Sequence, residues 1–399
     1  MQYKRMPIEV ESPEQMGYDR IRNNLSESSY TDTFLRDIDL GMGGIGSATG
    51  TAGVSGTGSV GESRGTDWKD LILAYGSHAG HDGLRDLIAK DSYRLAKEDV
   101  LLTVGAAAGL FIIATTLLEK GDELIVVRPN YATNIETPKA IGARIRYVDL
   151  NFDDGFALDI EKIKSLLTPQ TKYISVTHPH NPTGICLTAA EIKELAAIAE
   201  DNNIRLLVDE TYRDMVFAEQ LPLAAEISPN VISISSLSKS YGLPGIRVGW
   251  ILCRDQALME TFLAAKEQIH ICGSVLDEEV AYRYLLNREK HLQRIKEDIL
   301  RKFNIVKTWM NNQDQFEWME PDGGCVCFPR MRHPEKVDID RFYDILLKKY
   351  GTYTGPGHWF DMPRHYMRVG FGWPAVSQLE EGLDALLKSL GEATRPVYY

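Results

Sequence analysis

The 399-residue chain reads as an α/β protein, with a mostly parallel sheet covered by helices on both faces and a smaller α+β domain beside it. Three observations predict this. From about residue 84 to residue 268, short apolar runs of strand length alternate with segments of helical periodicity. Three of the apolar runs end in polar residues, and the carboxyl ends of strands are where open α/β sheets bind ligands. Beyond residue 311 the alternation gives way to short strands in antiparallel style.

Taken in order, helical periodicity covers 84–97, 106–119, 160–167, 189–202 and 256–268. Strands are expected over 123–127, 144–147, 173–177, 204–208, 231–234 and 248–252, each β-branched or aliphatic and bounded by turn residues. A long charged helix is expected over 277–311, followed by strands at 316–318 and 324–328, a helix over 339–349 and a strand around Arg368. This layout assigns 67–285 to a large domain, and 1–42 with 286–399 to a small domain built from both chain ends.

Residues 43–66 interrupt the pattern. The stretch from 41 to 66 holds 10 of the 33 glycines, interleaved with Ser, Thr and Ala, so it has too little apolar surface to offset its ordering entropy, and a mobile segment is expected. Gly41-Met42-Gly43-Gly44-Ile45-Gly46 satisfies the dinucleotide-binding spacing, but the residues after it, from Ser47 to Gly53, cannot sustain the helix that motif must open. A spacer and a lid that orders over bound substrate are both open.

Composition narrows the function classes. A net charge of −12 argues against nucleic acid and anionic membrane surfaces as partners. The apolar stretches fall short of a membrane span and the amino end lacks an apolar signal core, so a cytoplasmic location is expected. Five cysteines without a C-x-x-C pair suit a reducing compartment. Cys325 and Cys327, with His333 nearby, read as alternate residues of one strand face, and no metal site is expected.

Chemistry concentrates at the strand ends. Lys239 lies in Ser236-Leu237-Ser238-Lys239-Ser240, with Arg247 eight positions on. An amine that attacks an aldehyde, beside hydroxyls and a guanidinium that hold a dianionic phosphate, is what pyridoxal phosphate requires. The strand at 204–208 runs into Asp209-Glu210-Thr211-Tyr212, and the strand at 173–177 into His178-Pro179-His180-Asn181-Pro182-Thr183-Gly184, where flanking prolines hold Asn181 extended with its amide available.

With a late Tyr366-Met367-Arg368-Val369-Gly370-Phe371, these pieces resemble the fold-type I pyridoxal phosphate enzymes, class I/II aminotransferases, over roughly residues 67–390. The successive separations from Asn181 to Asp209, Lys239, Arg247 and Arg368 are 28, 30, 8 and 121 residues, in the family's order. The resemblance implies that Lys239 bonds the cofactor aldehyde and then moves the substrate α-proton, that Asp209 pairs with the pyridine nitrogen, and that Asn181 and Tyr212 bond the ring O3′. It implies ring stacking by Tyr131, and phosphate binding by Ser236, Ser238, Arg247 and the backbone N–H groups of Ala106 and Ala107 at a helix start. Arg368 would take the substrate α-carboxylate in a bidentate pair, with Asn181 and the Gly43 backbone beside it. Tyr75 would reach the phosphate of a neighbouring subunit and Ser274 would add a second cross-subunit contact, implying a homodimer with shared sites.

Ala107 and His178 depart from the pattern, since relatives often carry a hydroxyl or amide at the first and Asn at the second; His178 is expected to be a satisfied structural histidine. The implied activity is transfer of an amino group between an α-amino acid and a 2-oxo acid. Gly323-Gly324 through Arg330 and Gly355-Pro356-Gly357-His358-Trp359-Phe360 also resemble the capreomycidine synthase branch, which makes a lyase or cyclase the alternative. A non-enzymatic regulator that senses the cofactor is disfavoured, because no basic segment of DNA-binding length precedes residue 67.

Overall fold

A computed structural model describes residues 4–38 and 71–394. The glycine-rich segment 43–66, and Gly43 with it, lies outside the described residues. Two short amino-terminal helices, α1 (Pro7–Val10) and α2 (Pro13–Met16), lead into strand β1 (Asn23–Leu25). After the undescribed stretch follow α3 (Asp82–Ala89), β2 (Val100–Val104), α4 (Gly105–Leu117), β3 (Glu123–Arg128), α5 (Thr133–Ile141), β4 (Arg144–Asp149) and α6 (Ile160–Leu166). The alternation continues through β5 (Thr171–Thr177), α7 (Ala189–Asp201), β6 (Arg205–Asp209), β7 (Val231–Ser236) and β8 (Val248–Cys253), then α8 (Gln256–His270), α9 (Val275–Leu285) and α10 (Arg288–Asn311). The carboxyl-terminal part adds β9 (Phe316–Glu317), β10 (Val326–Cys327), β11 (Arg330–Met331), α11 (Ile339–Lys348), β12 (Thr352–Pro356), β13 (Met367–Gly370) and α12 (Val376–Ala393).

Seven strands form one sheet in the order β2-β8-β7-β6-β5-β3-β4. Pairing is parallel from β7 through β4 and antiparallel only around β8. The expected α/β class therefore holds. Strands β5 to β8 are buried on nearly every residue, as strands covered by helices on both faces must be. Helix α4 packs flat on the sheet because Gly109 lets its backbone approach Ile234 and Ile251; a Cβ there would lie 2.6 Å from Ile234 Cδ1. A second sheet, β1-β12-β13-β10, joins the two ends of the chain: Asn23 of β1 pairs in parallel with Thr352 of β12. Helix α12 covers it, with Gly382 against Leu25.

Several elements differ from the sequence reading, which did not anticipate β1, β2 or β12 among others. The helix expected over 84–97 stops at Ala89, because Ser92 Oγ accepts from the Arg94 and Leu95 N–H groups and turns the chain. The long helix expected over 277–311 is two helices that break at Leu286 and Asn287, a junction with no Gly or Pro to mark it. Helix α5 was hidden by its internal Pro138, and α12 was not anticipated.

The break before α10 has a partner. Arg288, the first residue of α10, pairs with Asp91 and donates to Asp214 at 3.0 Å, while the buried Tyr241 hydroxyl donates to Asp214 Oδ2 at 2.6 Å. Burial on its own raises Asp214, but Arg288, Tyr241 and Arg213 outweigh it and hold the carboxyl below its usual range. Tyr241 lies two residues from Lys239, so this network ties the lysine loop to α10. Asp214→Ala removes the shared acceptor and is expected to cost about 3–5 kcal/mol, the range for breaking one side of a buried ion pair. Denaturant unfolding of the variant beside the native protein measures the loss. An unchanged midpoint would show that the network contributes nothing to stability.

Candidate active site

The carboxyl ends of β5, β6 and β7 and the start of α4 converge on a cavity of about 380 Å³. Lys239, Asp209, Tyr212, Asn181, Tyr131, Ser236, Ser238, Arg247, Ala106, Ala107 and Arg368 all line it. Eleven residues singled out across the sequence thus come together in one cavity. Tyr75 does not line this cavity; it is 78% exposed on the surface. Ser274 Oγ accepts from the Asp277 N–H and caps α9.

The lysine is held by its backbone. The Tyr30 N–H donates to the Lys239 carbonyl at 2.9 Å, and Ser240 Oγ donates to the Thr211 carbonyl at 2.9 Å. Both neighbours of the side chain are thereby fixed, while the amine itself faces the cavity.

Asp209 closes β6 and is buried. Thr211 donates to its Oδ1 twice, from N–H at 3.0 Å and from Oγ1 at 2.6 Å; Oδ2 has no donor among the described residues. Burial raises the carboxyl above its usual range, against the lowering effect of the Thr211 hydrogen bonds and of Lys239. A cationic N–H placed at Oδ2 would supply the charge that burial withholds.

An anion cradle lies at the other end. Helix α4 starts without a side-chain cap, so its first N–H groups are free to bind an anion. Gly105 has φ +73°, and a Cβ there would lie 2.5 Å from Arg247 Nη2, so only glycine lets the guanidinium approach the helix start. Arg247, itself left-handed at φ +50°, donates to the Pro244 carbonyl at 2.8 Å and lies 3.5 Å from Ser238 Oγ. Ser236 Oγ accepts from the Ser238 N–H at 3.3 Å. No side-chain hydroxyl is needed at Ala107, because backbone N–H, two serines and Arg247 make the cradle.

Arg368 stands opposite on β13, only 4% exposed. Its Nη1 donates to Asn181 Oδ1 at 3.1 Å and its Nη2 to the Ser26 carbonyl at 2.7 Å, and Nε has no partner. Burial pulls its pKa below the usual guanidinium value. With Oδ1 occupied, Asn181 presents its NH₂ group as the remaining donor. The Tyr212 hydroxyl, expected on the cofactor ring, donates here to the Ser28 carbonyl at 2.8 Å and keeps its oxygen as an acceptor. His178 accepts from the Leu187 N–H at Nδ1, and burial lowers its pKa to about 4, so it is neutral; Nε2 lacks a partner, and the histidine is only half satisfied.

Several lining residues escaped the sequence reading. Thr177 ends β5 opposite Asp209, and its Oγ1 is buried without a partner. Ser26, Glu27, Ser28 and Glu14 come from the amino-terminal segment. Nothing in their local sequence marks them, since the contact of Ser26 with Arg368 spans 342 residues.

The orphaned Thr177 Oγ1 and Arg368 Nε, the uncapped helix start beside Gly105 and the free edge of Asp209 fit a ligand with a phosphate, a basic ring nitrogen and an aldehyde within reach of Lys239. Residues 69–386 match the profile of aminotransferase class I and II. Capreomycidine synthase of Streptomyces vinaceus is 29% identical over 328 residues, covering 82% of this chain and 83% of that protein. The arginine–pyruvate transaminase AruH of Pseudomonas aeruginosa is 28% identical over 344 residues, covering 82% and 83%. A crystal structure of a pyridoxal phosphate-dependent aminotransferase from Streptococcus suis superposes with a TM-score of 0.85 at 25% identity, covering 99% of this chain and all of that one. The cofactor for which this cavity is built is pyridoxal phosphate, and the chain belongs to the class I and II aminotransferase family.

Proposed function

We propose that the protein transfers an amino group between an α-amino acid and a 2-oxo acid. The observation that carries this is the pairing, in one cavity, of a free amine at Lys239 with an under-bonded buried guanidinium at Arg368. Pyridoxal phosphate, when bound, supplies an aldehyde that condenses with amines and a ring that accepts the electron pair left by a departing α-proton.

The chain's own residues do the rest. Arg368 binds the substrate α-carboxylate through its planar fork and so fixes which α-bond faces Lys239. Lys239 Nζ would take the proton from the substrate α-carbon as general base and, so protonated, give it as general acid to the cofactor carbon that carried the aldehyde. Asp209 would pair with the ring nitrogen, Asn181 would donate to the ring oxygen, and Tyr131 would cover a ring face. Arg247, Ser236, Ser238 and the N–H groups of Ala106 and Ala107 hold the phosphate. The buried Ile8 and Trp359 give the cavity an apolar wall. A homodimer belongs to the same reading, supported by the exposed Ile72, Leu73 and Tyr75, with Tyr75 offered to a neighbouring copy. The five free cysteines support a cytoplasmic setting.

A second reading is a lyase or cyclase acting on an amino acid, favoured by the likeness to capreomycidine synthase across most of both chains. Adding an amino acid to the holoenzyme without an oxo-acid acceptor separates the two. Transamination is expected to leave stoichiometric pyridoxamine phosphate and a 2-oxo acid, both measurable by mass spectrometry. Turnover to a cyclic or eliminated product with the aldehyde form retained would favour the second reading.

Arg368→Lys keeps the charge and loses the fork. The expected loss in kcat/KM is about 2 kcal/mol or more, from the strength of charge-assisted hydrogen bonds. Unchanged steady-state kinetics would move carboxylate binding to another residue.

A further inference from the structure

Every cation that lines the cavity has a task in the reading above: Lys239 with the aldehyde, Arg247 with the phosphate and Arg368 with the α-carboxylate. No other Lys, Arg or His of the described residues lines it. The carboxylates number four, and only Asp209 is used by the cofactor. The other three, Glu9, Glu14 and Glu27, come from the amino-terminal segment and line the same cavity.

This rim is anchored. Glu11, between α1 and α2, accepts from Trp359 Nε1 at 2.6 Å and lies 2.9 Å from His358 Nε2, and its carbonyl accepts from the Tyr353 hydroxyl at 2.9 Å. The helices that carry Glu9 and Glu14 are thereby held on β12 and the turn after it. Glu27, two residues beyond β1, is half-buried and, among the described residues, its side chain accepts only a 3.3 Å bond from the Tyr18 hydroxyl. Burial raises its pKa, Glu14 and Asp32 add to the rise, and Lys239 and Arg368 offset it incompletely. Glu27 is thus a carboxylate short of positive charge. Arg368, buried in the same cavity with Nε unpartnered, marks independently where a ligand carboxylate would bind.

We propose that the amino donor carries a cationic side chain, a guanidinium or an ammonium, and that Glu27 binds this cation while Glu14 closes the mouth behind it. This rests on the reading of Arg368 as the α-carboxylate holder. A guanidinium could donate to both Glu27 oxygens and lie flat on the Trp359 indole, which also lines the cavity. An anionic side chain would instead meet the carboxylates of Glu27 and Glu14, which Lys239 and Arg368 offset only in part.

Titration of the holoenzyme with arginine, lysine, citrulline and glutamate, read by the change in cofactor absorbance, tests this without requiring turnover. Arginine or lysine is expected to bind at least tenfold more tightly than citrulline or glutamate, and Glu27→Gln is expected to reduce that ratio to below threefold. Glu14→Gln should reduce it less. Equal or tighter binding of citrulline or glutamate by the native protein would overturn the proposal, as would a folded Glu27→Gln holoenzyme with the ratio unchanged. If Glu27→Gln fails to fold, the native ratio and Glu14→Gln decide. Selective binding of the cationic amino acids with no oxo acid formed would contradict transamination and support this proposal; transamination that prefers neutral or anionic donors would contradict this proposal alone.

Discussion

Burial of the Arg368 guanidinium is the constraint on which the site depends. A cation taken almost wholly out of water must be surrounded by acceptors, and here the acceptors come from parts of the chain far apart in sequence. Asn181 belongs to the loop after β5 of the seven-stranded sheet, Ser26 to the segment after β1, and Arg368 to β13 of the smaller sheet. Satisfying two of its nitrogens therefore sets the distance between the two sheets across the cavity. Leaving Nε bare makes the position a binding site rather than a structural ion pair.

The cavity's charges are arranged along its length in the same way. At one end, the uncapped start of α4, Arg247 and two serines make a place for a dianion. In the middle, Asp209 is buried with one oxygen tied to Thr211 and the other open. Each end is short of the opposite charge, and each shortage matches one group of the cofactor. The Lys239 carbonyl and the next residue, Ser240, are each held by a hydrogen bond, so the lysine loop is fixed beside them.

The sequence made this centre legible because strand ends in a parallel sheet carry their functional residues in short local runs. Asn181 follows β5 among prolines, Asp209 closes β6, and Lys239 follows β7 in a serine-rich turn, so each could be read in its own neighbourhood. Arg368 was legible only through the family's late motif. The residues that escaped have no such local mark. Glu27, Ser26 and Ser28 sit after a three-residue strand whose partner, β12, lies more than 300 residues away, and no periodicity predicts that pairing. Thr177 looked like an ordinary strand residue until Asp209 was placed beside it. Helix α5 was concealed by Pro138, and the break before α10 by the absence of a breaker, because Arg288 turns toward Asp91 and Asp214 through tertiary contacts.

Borohydride reduction of the holoenzyme, followed by proteolysis and peptide mass mapping, tests the assignment of this cavity most directly. A pyridoxyl mass on the peptide containing Lys239, and on no other, is the expected result. The same mass on a different lysine, with Lys239 unmodified, would contradict it.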